Sequence, residues 1–212
     1  MTEAAIKLDK LEIDALSELV NIGVGRAAAS LRHMVGEEVL LSVPSAEIMQ
    51  REQAWGLIEK DSGGGLVAIH QHFEGSFSGC ALLVFPEMKS LELVRAVVRT
   101  DLPLEDIIDL EQEALAETGN IVLNACLATI ANILKQNLKM SLPQVRRGNG
   151  AALLGDACGD VPGDLLLFLY ISFTVNSQNI HGYIVMLMDL PSLATLKQLI
   201  GEYIAGLTCQ RA

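Results

Sequence analysis

DALSELVN at residues 14–21 returns as EALAETGN at residues 113–120, so Asp14, Glu18 and Asn21 recur as Glu113, Glu117 and Asn120 at a constant offset of 99 residues. Pro44 recurs as Pro143 at the same offset. On a helix turning about 100° per residue, positions i, i+4 and i+7 fall within about 60° of one another, so each acid, acid and amide set lies on one stripe. The opposite side of the first segment runs Leu16, Val20, Gly23, Ala27 and Met34, apolar or small, and suits packing on a core. The acids and amide then face outward. Gly25, Ala28 and Arg32 continue their line, where small residues let another surface approach, and Asn124, Leu127 and Ala131 take the matching places in the second copy.

Working outward, the spacing predicts a helix over 9–35, with Asp9 as N-cap and Gly36 as stop. A strand follows over 38–48, and Pro44 inside it argues for a sheet edge, bulge or bend because proline has no N–H for the ladder. A short helix is expected over 51–60, then strands over 66–73 and 76–85 joined by a turn at Glu74 and Gly75. Pro86 opens a helix through about residue 99. The order then repeats: a long helix over 105–135, a strand over 140–152, a hairpin of 164–175 with 180–188, and a closing helix from Pro191.

At an offset of 102, Leu82, Leu83 and Val84 fall on Ile184, Val185 and Met186, and Ser90 falls on Ser192. The expected fold is α+β: two helix–strand–hairpin–helix units, about 9–100 and 105–205, related by an approximate two-fold. They share one mainly antiparallel sheet with the two long helices on its face, in one domain spanning 1–212.

Half of the 212 residues are hydrophobic, enough for a substantial core, and the net charge of −11 repels phosphate backbones, which excludes nucleic acid as partner. The nearest basic pair, Arg146 and Arg147, is too short to change that. Cysteines 80, 126, 158 and 209 lack the close spacing of a zinc or redox pair and read as reduced, mostly buried thiols. No targeting leader and no membrane span are expected, which places the protein in the cytoplasm. His70 and His72 read as a polar strand end rather than metal ligands, and the Gly and Asp run from Gly155 to Asp164 reads as a mobile loop.

The repeated residues resemble the CheC, CheX and FliY phosphatases of bacterial chemotaxis. That family's signature is an acid or serine, three residues, Glu, two residues, Asn, twenty-two residues, Pro. Asp14, Glu18, Asn21 and Pro44 fit it fully; Glu117, Asn120 and Pro143 fit the second copy, where Glu113 stands in place of Asp or Ser. Two copies over nearly the whole chain look most like CheC. The resemblance implies an aspartyl-phosphate phosphatase, a hydrolase acting on a CheY-type response regulator, with Glu18 and Glu117 docking the regulator's lysine and Asn21 and Asn120 positioning the attacking water. Asp14 and Glu113 are then supporting acids, and Pro44 and Pro143 fix the strands behind the helices. It implies no cofactor held by this chain, Mg2+ carried by the regulator, CheD as a further partner, and a monomer. The alternatives are a non-catalytic adaptor that binds a regulator or CheD, and a flagellar switch-associated protein.

Overall fold

The computed structural model describes residues 7–36, 38–62, 64–98, 104–150, 152–153, 165–175 and 178–209. Helix α1, Lys10–Val35, starts at a capping box: Asp9 accepts from the Glu12 N–H at 2.8 Å, and the Glu12 carboxylate accepts from the Asp9 N–H at 2.7 Å. It ends at Gly36, whose φ of 61° is the left-handed conformation that glycine adopts without steric penalty. Both boundaries agree with the sequence expectation.

Strand β1, Val39–Gln50, follows, then helix α2, Arg51–Ser62, strands β2, Leu66–Gly75, and β3, Gly79–Pro86, and helix α3, Glu87–Val98. The second half holds α4, Leu104–Ile133, β4, Leu138–Met140, β5, Gln144–Gly148, β6, Leu165–Val175, β7, Gln178–Met188, and α5, Leu190–Cys209. All seven strands form one antiparallel sheet in the order β1-β6-β7-β3-β2-β4, with β5 also on β2.

That order is more interwoven than two units meeting along one seam. The hairpins meet at β3–β7, where Leu82 faces Val185 and Leu83 faces Ile184. An offset of 102 exchanges these two pairs, so the approximate dyad passes between them. Each unit's first strand then leaves its own hairpin and edges the other's: β1 pairs with β6, and β4 and β5 pair with β2. Neither half can complete its sheet alone.

Three local expectations change. The β2–β3 turn lies at Ser76–Ser78, and Glu74 and Gly75 stay in β2, where they pair with Lys139 and Leu138 of β4. The extra backbone partner keeps β2 extended past its predicted turn. The strand expected over 140–152 breaks at 141–143, where Pro143 cannot donate, and residues 150, 152 and 153 are helical. Pro86 closes β3 opposite Leu66 and α3 begins one residue later. At Pro44 the sequence reading holds, because β1 is an edge strand and its register on β6 shifts between Ser42 and Ser45.

One face of the sheet carries α1, α3, α4 and α5 over a core that includes Leu16, Val20, Ala27, Ile69, Leu83, Cys126, Leu169 and Ile184. The other face carries α2 over a smaller core of Ala54, Ile58, Cys80, Leu82 and Val185. Both faces are covered, so the central strands read as nearly continuous apolar runs. The stretch Leu110–Ile133 of α4 has the length and hydropathy of a membrane span, yet 61% of its most apolar 18 residues is buried within the fold, as in the core helix of a globular protein.

The two long helices meet at Gly23, where an added Cβ would stand 2.8 Å from the Cys126 Cα and 3.0 Å from the Ala125 carbonyl oxygen. Both obstacles are backbone, so a side chain there must push the helices apart. Gly23→Ala is expected to lower stability by about 1–3 kcal/mol despite alanine's better helix propensity. Urea unfolding followed by circular dichroism measures it, and a stability equal to or above the parent contradicts the close crossing.

Candidate functional site

Asp14, Glu18 and Asn21 lie on α1, and Glu113, Glu117 and Asn120 lie on α4. In each set the two acids are exposed and the amide is half-buried. None of the four carboxylates has an ion-pair or hydrogen-bond partner among the described residues. Leu16, Leu19 and Val20 on α1 and Leu115, Val122 and Leu123 on α4 sink into the core, which turns the acids outward. The flanking line is less symmetric than the sequence indicates. Gly25 and Arg32 are exposed and Ala28 is half-buried, whereas Leu127 and Ala131 of the second copy are buried in the core. The cause is α4's higher apolar content: its stripe tucks under the sheet's other edge rather than meeting solvent.

The two amides differ in what they hold. Asn21 Oδ1 accepts from the Val43 N–H at 2.9 Å and Asn21 Nδ2 donates to the Val43 carbonyl at 3.3 Å, so both ends of the carboxamide are tied to the backbone next to the Pro44 bulge. Asn120 Oδ1 accepts from Gln71 Nε2 at 3.2 Å and from Asn124 Nδ2 at 2.6 Å. Its own Nδ2 makes no hydrogen bond among the described residues. Gln71 Nε2 also donates to the Ser141 carbonyl at 3.0 Å, which ties the amide to the link that contains Pro143.

The register explains this divergence. Ser45 faces Tyr170, and its counterpart Gln144 faces His70, so Tyr170 answers His70 and Ile171 answers Gln71. Both Gln71 and Ile171 are fully buried. With an aliphatic side chain behind it, Asn21 has only strand backbone to bond; with Gln71 behind it, Asn120 has an amide donor. Leu142, the counterpart of Val43, is 85% exposed and takes no part.

No protein-family model matches the chain. The chain is similar to the CheY-P phosphatase CheC of Bacillus subtilis (strain 168), 23% identical over 199 residues that make up 90% of this chain and 94% of that protein. It is also similar to the flagellar motor switch phosphatase FliY of the same organism, 22% identical over 140 residues, 65% of this chain and 36% of that longer protein. The fold is shared with Thermotoga maritima FliY, at a TM-score of 0.73 and 16% identity over 92% of this chain and 98% of that one. CheX in the CheX–CheY–BeF3–Mg2+ complex of Borrelia burgdorferi aligns at a TM-score of 0.52 and 14% identity, over 82% of this chain and 99% of that one.

Of the other residues singled out in the sequence, the arginine pair and Cys126 fall as expected and Cys80 does not. Arg146 and Arg147 alternate on β5 rather than forming a patch: Arg147 reaches Glu111 of α4 at 2.5 Å, and Arg146 lies toward His70. Cys126 is a buried free thiol whose pKa burial pushes up to about 12. Cys80, read from the sequence as a reduced thiol, is instead disulfide-bonded. Sequence spacing cannot reveal a cross-link that tertiary folding assembles. The run from Gly155 to Asp164 also lies outside the described residues.

Proposed function

We propose that the chain is a protein phosphatase that hydrolyses the aspartyl-phosphate of a CheY-type response regulator, and that it works in the cytoplasm where such regulators signal. The observation that carries this reading is the twice-built stripe of two unpaired, exposed carboxylates with a carboxamide one turn beyond. A conserved fold would repeat the buried face; here the solvent face is repeated too. The CheC relative, matched over nearly all of both chains, supports the same reading.

The regulator brings the acyl phosphate and its Mg2+, so this chain supplies docking and water. Glu18 or Glu117 accepts a charge-assisted hydrogen bond from a cation on the regulator, such as an active-site lysine, and fixes its approach. The amide one turn on then faces the phosphoryl group. Asn120 Oδ1 already accepts two hydrogen bonds, so the group left for chemistry is its Nδ2, a donor. Donation from Nδ2 to a water oxygen leaves that water a lone pair to aim at phosphorus. Water adds, the bond from phosphorus to the carboxylate oxygen breaks, and aspartate and inorganic phosphate leave; positioning and charge neutralisation supply most of the rate. Each site is a helix surface rather than a pocket, which fits a transient complex.

The test is phosphate release from a panel of phosphorylated regulators with the parent chain and with Asn21→Ala combined with Asn120→Ala. Loss of turnover with binding retained supports the hydrolase reading. Turnover that persists in the double variant removes the amides from the mechanism, and binding without turnover in the parent makes the chain an adaptor.

A further inference from the structure

On the α2 face of the sheet, directly behind Gln71, three metal-ligating side chains converge. His70 and His72 lie two apart on β2 and so point the same way, with ring centroids 5.9 Å apart. The observed register puts Cys80 of β3 opposite His72. Ligand atoms of all three lie within 4.8 Å of one another. A two-residue turn at Glu74 and Gly75 would have set Cys80 beside Ile69 on the other face; the longer turn reverses its side.

His70 provides the second, independent sign. It is 4% exposed, and neither ring nitrogen reaches a partner in hydrogen-bonding geometry among the described residues. Buried polar groups are almost always paired, and a buried imidazole with a nitrogen left idle is uncommon unless a ligand takes it. Gln144 faces His70 across the β2–β5 ladder, and its side chain can engage only one of the two nitrogens. His72 is exposed, which gives an ion a way in.

We propose that reduction of the Cys80 disulfide opens a zinc site whose protein ligands are His70, His72 and Cys80. Two imidazoles and one thiolate are the donor set that suits a borderline cation such as Zn2+, with a fourth position left to water. A thiol or phosphine reductant gives two electrons to the S–S bond, and two protons complete the two thiols. Zn2+ then displaces the proton of the Cys80 thiol as the Zn–S bond forms. In the oxidised state the Cys80 sulfur is committed to its S–S bond and the donor set falls to two imidazoles, too few for tight binding.

The experiment reduces the full chain with a phosphine, removes the reductant and titrates with Co2+ as a spectroscopic stand-in for Zn2+. One Co2+ per chain is expected, with the thiolate-to-metal charge-transfer band and the strong visible bands of a tetrahedral site, all lost on adding Zn2+. The bands should be absent from the oxidised chain and from Cys80→Ala, and affinity should fall about 10–100-fold or more in His72→Gln, an exposed position that folding does not depend on. No band in the reduced chain overturns the site. A band that survives in Cys80→Ala, an affinity unchanged in His72→Gln, or a band equal in oxidised protein overturns the ligand assignment. None of these readouts uses phosphatase activity.

Discussion

Asn120→Ala is expected to slow phosphate release from a phosphorylated CheY-type regulator by about 100-fold, while Asn21→Ala changes it by less than about two-fold. The sequence offers the two amides as equals, and the hydrogen bonds do not. Asn21 spends both ends of its carboxamide on Val43, whereas Asn120 is held through Oδ1 alone and keeps Nδ2 for a water. Freeing Asn21 means breaking two bonds to backbone groups that then need other partners, a cost of about 1–3 kcal/mol that each encounter would have to repay. The same bonds predict the converse effect on folding. Asn21→Ala should lower stability by about 1–3 kcal/mol, because the N–H and C=O of Val43 lose their partner at an edge-strand bulge. Stopped-flow phosphate release and urea unfolding on the two single variants check both halves. If Asn21→Ala carries the rate loss instead, the Val43 clamp opens on docking and the first site is the working one.

Much of the frame was legible because it rests on local chemistry. Asp9 with Glu12 and Gly36 bound α1 by capping rules, and Pro44 in a strand demanded the edge and bulge that β1 shows. The repeat supplied the rest of the element order. What the repeat could not supply was pairing across halves, since the cross-over of β1 onto β6 and of β5 onto β2 is a tertiary choice with no spacing signal. The β2–β3 turn shows the price of a local rule applied alone. Glu74 and Gly75 satisfy turn chemistry, but Met140, Lys139 and Leu138 offer β2 more hydrogen bonds as a strand, and a shifted turn moves Cys80 to the histidine face.

At the site, the outward stripe was readable from periodicity, whereas the support behind each amide was not. Gln71 sits 49 residues before Asn120, in a strand with no motif of its own. The one available clue was that Gln71 interrupts a buried apolar run between Ile69 and Phe73, where a polar side chain has to find a partner. The same reasoning would have found Glu111.

Arg147→Met is expected to destabilise the fold by about 2–3 kcal/mol and lower Tm by about 5–10 °C. Glu111 is 4% exposed on α4, and its described partners are Arg147 of β5 at 2.5 Å and the Ser90 hydroxyl of α3, which donates to it at 3.3 Å. Removing the guanidinium leaves a buried carboxylate with one neutral donor. That cost is smaller than for a fully enclosed pair because the Arg147 side chain is 41% exposed and water already shares its charge. The decisive comparison is the double variant. Arg147→Met with Glu111→Leu removes the stranded charge as well as its partner and should recover more than half of the loss, since a well-packed apolar pair often matches a buried ion pair. A single-variant loss under about 0.5 kcal/mol would mean the contact is worth no more than a surface pair. Failure of the double variant to recover would locate the loss in the Arg147 stem rather than in its charge. Either way the clasp matters to function through position: it pins α4 to β5, and β5 leads back through Pro143 and Ser141 to the amide that holds Asn120.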